Sequence, residues 1–228
     1  LHLICCVRSE EYTPIERYQD MKELYHDIAI AYQKAIRAFY DAGCRYLQLD
    51  DTSWGEFCDA DKRKTYKERG FDLEEIAKSY VDMINLALEA KPADMTITMH
   101  ICRGNFRSTW FSSGGYEPVA ETLFGHCKVD GFFLEYDSER SGDFSPLRYI
   151  KDQKVVLGLI TSKFPQLEDK EEIKERIQEA EKYVAKEQLC LSPQCGFSST
   201  EEGNVMTEEE QWKKVVFVKE IAEEVWDD

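Results

Sequence analysis

Along the chain, short apolar runs alternate with longer stretches whose apolar residues recur every three or four positions. Residues 1–7 form a nearly continuous apolar run, as a strand covered on both faces should. Between 20 and 42, Leu24, Ile28, Ala31, Ala35 and Phe39 recur at helical spacing, and Gly43 supplies a stop. A short strand is predicted at 46–50, and the polar, charged stretch 51–70 reads as a loop. Asp72 caps a predicted helix running through Ile76, Tyr80, Met83, Ile84 and Leu88 to Lys91-Pro92. Further strands are predicted at 95–102, 131–136, 155–160 and 189–192. Between them fall a long loop at 103–115 and helices at 118–124 and 171–186. A capping box of Thr207 and Glu210 opens a last helix that ends at Trp226.

Six predicted strands alternating with helices indicate a parallel α/β sheet or barrel. The long loops follow strands, at the end where catalytic residues of (β/α)8 barrels sit. Six strands are two short of a closed barrel, and the chain begins with Leu1 rather than Met. The expectation is one domain over residues 1–228: a partial (β/α)8 TIM barrel holding strands three to eight, its N-terminal part missing. A doubly wound open sheet is the structural alternative.

Composition narrows the partners. With 43% apolar and 12% aromatic residues, the chain can bury a sizeable core. Its net charge of −16 repels phosphate backbones and anionic lipid, so no nucleic acid and no membrane is expected as a partner. No apolar run approaches the roughly 20 residues that span a bilayer. The first seven residues are too short and lack the basic start of a signal peptide. The eight cysteines lie mostly in apolar runs of a long acidic chain, which reads as a reducing cytoplasm rather than a disulfide framework.

Three strand ends carry metal-ligating residue types. His100 and Cys102 are two apart on one strand, so an imidazole and a thiol share a face. That pairing suits zinc, though a packed histidine beside a packed cysteine would look the same. Glu135 ends an otherwise apolar strand, where a carboxylate needs a metal or a cation such as Arg103, Arg107 or Arg140. Cys195 follows another strand end, beside Gly196. Together they make a tetrahedral ligand count from three strand ends. Asp50 and Asp51 end a further strand and point to opposite sides. Asp50 is the better candidate to face the pocket, to hold a substrate ammonium or accept a proton. Arg103, in the loop after the metal strand, is a candidate grip for a substrate carboxylate. His2, His26 and His126 show no partner pattern.

These stretches resemble the catalytic domain of cobalamin-independent methionine synthase. The resemblance rests on Met99-His100-Ile101-Cys102, Phe133-Leu134-Glu135, Pro193-Gln194-Cys195-Gly196 and Leu47-Gln48-Leu49-Asp50. The run from Cys102 to Ser108 is similar to that of short, single-barrel relatives. The resemblance implies a (β/α)8 barrel with zinc held by His100, Cys102, Glu135 and Cys195. It implies Asp50 as the acid that binds the amino group of homocysteine. The implied activity is methyl transfer from a donor such as methylated folate to the homocysteine thiol, giving methionine. An alternative is alkylation of another thiol or from another donor; a non-catalytic zinc barrel is a further one. One departure stands out. Larger members carry a His-Ser-Pro run whose His is thought to help move a proton, and here Lys163 stands in that place. A thiol with an ordinary pKa of about 8.5 is mostly protonated at neutral pH, and zinc coordination deprotonates it. Two cysteinates and a carboxylate make such a site anionic, which favours a nucleophilic bound sulfur over hydrolysis by metal-bound water.

Overall fold

The computed structural model describes His2, Tyr18 and residues 20–226. Among the described residues, five strands form one parallel sheet in the order in which they occur: β1 (Tyr46–Asp51), β2 (Thr96–Ile101), β3 (Gly131–Glu135), β4 (Lys154–Ile160) and β5 (Leu189–Pro193). Apart from His2, the strand predicted at 1–7 lies outside the described residues. The helices are α1 (Met21–Asp41), α2 (Ser53–Cys58), α3 (Ala60–Glu68), α4 (Leu73–Leu88), α5 (Glu117–His126), α6 (Lys170–Ala180) and α7 (Glu208–Trp226).

Local chemistry starts most helices where the sequence indicates. Asp20, Asp59, Asp72 and Asp169 each accept backbone N–H bonds from the first turn of α1, α3, α4 and α6. Such a cap contributes about 1 kcal/mol. At α7 the Glu210 carboxylate accepts from Thr207 N at 2.7 Å, and Glu210 N donates back to Thr207 Oγ1 at 3.3 Å. Two expectations change. The stretch 51–70 is not a loop but holds α2 and α3. Asp59 caps α3, all six residues of α2 are buried, and Tyr66 is the buried residue of α3. The helix predicted to 186 ends at Ala180; Val184 is buried from a turn instead.

A doubly wound sheet reverses its strand order at a switch point. This sheet does not reverse, so right-handed crossovers gather the helices on one face. Residues facing that layer are apolar and fully buried: Ile97, Met99, Ile101, Phe132, Leu134, Val155, Leu157 and Leu159. The opposite face is more polar and more open. Gln48 and Asp50 are exposed there, and Phe133, Cys190 and Ser192 are half-buried. Alternation within each strand therefore sends the apolar residues to the core and the chemistry to the open face.

On that open face Gly158 lies level with Glu135 of β3 and Ser192 of β5. A Cβ there would stand 2.7 Å from Gln194 Cα and 2.8 Å from Leu134 O, both backbone atoms that cannot swing aside. Glycine thus lets the chain before Cys195 close onto β4. Gly158→Ala is expected to destabilise the fold by about 1–3 kcal/mol in urea denaturation. Gly125→Ala, at a helical position with open space around its Cβ, should match or slightly exceed the parent.

Candidate metal centre

Strand alternation places Met99 and Ile101 in the helix layer and leaves His100 and Cys102 on the open face. Asp50 pairs in register with His100 across β1 and β2. Glu135 closes β3, and Cys195 lies two residues past β5. One ligand atom each from His100, Cys102, Glu135 and Cys195 lies within 4.8 Å of every other. Cys102 Sγ and Cys195 Sγ are 3.9 Å apart, and His100 Nε2 is 4.0 Å from Glu135 Oε1. His100, Cys102 and Glu135 are buried, and Cys195 is half-buried. His100 Nε2 is buried without a hydrogen-bond partner. A buried imidazole nitrogen left unpartnered, aimed at two thiols and a carboxylate, fits a borderline-soft divalent cation with four ligands.

The electrostatics of the cluster follow from its crowding. Cys102 and Cys195 cannot both ionise cheaply at this separation. The Cys195 thiol is pushed down, first by the hydrogen bond from Cys102 and then by His100; the Cys102 thiol is pushed up by holding the proton of that bond and by burial. For His100, desolvation opposes the charged form, but Cys195, Asp50 and Glu135 outweigh it and raise the pKa. Desolvation raises the Glu135 carboxyl, against the Arg103 N–H and the Arg140 guanidinium. Those two groups orient it: Arg103 N donates to Oε1 at 2.7 Å and Arg140 to Oε2 at 2.8 Å. Arg140 also meets Asp137 at 2.8 Å. Glu135 is therefore both paired with a cation and a member of the ligand cluster. The sequence alone presented those as rival readings. Desolvation raises the Asp50 carboxyl; His100 opposes this, and Cys195 and Asp51 add to it.

Other sequence candidates fall elsewhere. Asp51 turns away from Asp50 and accepts from Ser53 N at 2.8 Å at the start of α2. The Arg103 side chain is fully buried, with its guanidinium 4.3 Å from the Tyr116 ring centre. What reaches the centre is its backbone N–H. Arg107 is on the surface, 3.9 Å from Glu202. Lys163 is buried in the rim of the site and donates to Gly104 O, Asn105 Oδ1 and Thr109 O at 3.0–3.1 Å. His2 has partners the sequence did not disclose, Tyr80 Oη at 3.1 Å and Tyr66 Oη at 3.3 Å. Asn105, from the loop whose amides were candidates to grip a substrate, joins the rim, as do Ser199 and Asn204, which had not been singled out. Their only sequence signal is that they sit in loops after strands that bear ligands.

A parallel α/β sheet thus brings two thiols, an imidazole and a carboxylate together at its strand ends as a candidate metal site. The chain belongs to the family of the cobalamin-independent synthase catalytic domain, whose model matches residues 11–216. It is 57% identical over 211 residues to the Bacillus subtilis protein YxjH, itself uncharacterized, covering 92% of this chain and 56% of that protein. It superposes with a TM-score of 0.73 on a crystal structure from Listeria monocytogenes, a candidate vitamin-B12-independent methionine synthase. That match has 51% identity and covers 92% of this chain and 57% of that one. A B12-independent methionine synthase from Shewanella, solved with selenomethionine, shares the fold at a TM-score of 0.68 and 18% identity. This match covers the same shares of the two chains, 92% and 57%. The chain thus spans a little over half the length of these relatives. No helix among the described residues is long and apolar enough to cross a membrane.

The thiol environments give a direct test on metal-free protein. Burial pushes Cys58 up to about 11 and Cys127 up to about 12, whereas Cys195 is held down. At pH 7 iodoacetamide should modify Cys195 well before Cys58 or Cys127, as followed by peptide mass spectrometry. Equal labelling of the three would refute this description of the centre.

Proposed function

We propose that this chain carries the thiol-activating zinc site of a homocysteine methyltransferase that forms methionine without cobalamin. The observation that carries the reading is the meeting of four ligand atoms within 4.8 Å, with Asp50 in register beside His100. His100, Cys102, Glu135 and Cys195 are the residues that would hold zinc. Bound there, zinc would supply the charge that deprotonates an incoming thiol and keeps its sulfur nucleophilic toward a methyl carbon. Arg140 and the Arg103 N–H fix the Glu135 carboxylate. Asp50, on the open face and in register with His100, would accept the ammonium group of homocysteine and so turn the sulfur toward the ligand cluster. The Arg103 guanidinium, buried over Tyr116, leaves the substrate carboxylate to other donors. The second substrate in this reading is a small methyl donor such as a methylated folate.

The same reading takes β1–β5 as the last five of eight barrel strands, with residues 1–228 as one catalytic domain. Its support is the unreversed parallel order and the apolar border beside β1, where Tyr32, Phe39 and Tyr46 are about half exposed.

The full-length protein is expected to retain about one zinc per chain and to convert homocysteine to methionine with one of several methyl donors tested. Asp50→Asn should raise KM for homocysteine about tenfold or more while leaving zinc content unchanged. A zinc-loaded protein indifferent to homocysteine would point instead to a structural site. Zinc affinity should fall as the pH falls. Cys102 holds its proton tightly, so metal uptake must release it, and acid restores it. Affinity independent of pH between about 6 and 8 would contradict the ligand set.

A further inference from the structure

Three loops build the rim of the centre: residues 102–116 after β2, 161–169 after β4 and 194–207 after β5. Lys163 lies where they meet. An ammonium has three donors, and here Gly104 O, Asn105 Oδ1 and Thr109 O take one each at 3.0–3.1 Å. Asn105 passes the link on, its Nδ2 donating to Gly196 O at 2.7 Å and to Ser199 Oγ at 2.8 Å. Ser199 Oγ lies 3.7 Å from Cys195 Sγ. Asn204 closes the ring, donating to Asn105 Oδ1 at 3.0 Å and Ser162 O at 2.8 Å, and accepting from Ser108 N at 3.1 Å. Ser108 Oγ accepts from Val205 N at 2.8 Å.

The network holds backbone that would not hold itself. Arg107 and Ser108 adopt φ of +46° and +64°, a left-handed pair of side-chain-bearing residues. Such conformations cost energy and persist where the surroundings over-determine them. The C-terminal side of this pair is tied down, Ser108 to Asn204 and the following Thr109 to Lys163. The first loop begins at Cys102, whose sulfur accepts from Gly104 N at 3.4 Å; the third contains Cys195. The two thiols thus belong to two loops fastened to one ammonium, directly in one case and through Asn105 in the other.

We propose that Lys163 is a positioning residue that clamps the loops bearing Cys102 and Cys195 and so sets the distance between the two thiols before any metal arrives. Its hydrogen bonds are saturated by two carbonyls and an amide oxygen, which makes it a fastening rather than a carrier of protons. The proposal rests on the ligand set given above only for its effect on zinc, so one of its tests needs no metal.

The test is Lys163→Met in the full-length protein, read in two ways. In metal-free protein, hydrogen–deuterium exchange should rise across 104–109 and 196–206 while α4 keeps its protection. In the same variant, zinc affinity measured against a competing chelator should drop about 10–100-fold, the usual effect of removing a residue that orients ligands. Asn204→Ala removes other links of the same network, to Asn105 Oδ1, Ser162 O and Ser108 N, and leaves the buried ammonium in place. It should loosen 104–109 and 196–206 in the same direction, which keeps the test informative if the lysine variant does not fold. Unchanged exchange in 196–206 would overturn the clamp. A change confined to the pH profile of the reaction, with loop protection and zinc affinity intact, would overturn it too and assign Lys163 to proton transfer. Loosened loops with unaltered zinc affinity would refute its control of the thiols. Loosened loops in a protein that binds no zinc even as the parent would leave the loop clamp standing and remove the zinc reading instead.

Discussion

Everything at this end of the molecule depends on gathering two thiols, a carboxylate and an imidazole into a space less than 5 Å across. Anionic groups at that distance repel, and burial amplifies the repulsion by removing the water that would screen it. The protein meets this constraint in three ways. The thiols lie 3.9 Å apart, where a shared hydrogen bond favours ionisation of Cys195 and disfavours that of Cys102. The imidazole is biased toward its charged form by the anions around it. Arg140 compensates Glu135 from outside the cluster. A divalent cation would replace the shared proton and relieve the repulsion, which is why this donor set reads as a metal centre rather than as strained packing.

The parallel sheet makes such a gathering geometrically easy. Neighbouring strands run about 4.8 Å apart, and their C-terminal ends come level in register. Residues on one face of adjacent strands therefore meet without special loops, as Asp50 and His100 do. Cys102 lies one residue beyond β2, and Cys195 lies further out. The position of Cys195 depends on Gly158 letting the backbone approach β4 and on the loop contacts around Asn105. Strands set the imidazole and carboxylate; loops set the second thiol.

This division explains how much the sequence disclosed. The strand–helix alternation, the Asp caps and the spacing of His100 and Cys102 are local patterns, and the structure follows them. α3 was hidden because Tyr66 is the only buried residue in a run of charges, and α2 because six residues are too few to show a period. The partners of Lys163, Asn105 and Asn204 were not legible, since those contacts join residues 42 to 99 positions apart, and nor was the burial of Arg103 over Tyr116. Arg140 could be read only as one of three cations able to meet Glu135. The exposed face of Asp50 was foreseen because two adjacent strand residues must point opposite ways.

The coordination shell is where thiol activation and a merely structural metal part company. X-ray absorption at the zinc edge, on full-length protein with and without homocysteine, measures it. Without substrate the shell should contain two sulfurs, from Cys102 and Cys195, with lighter atoms from His100 and Glu135. Adding homocysteine should raise the sulfur count to three. A shell that stays unchanged at saturating homocysteine would contradict activation of the thiol at this centre.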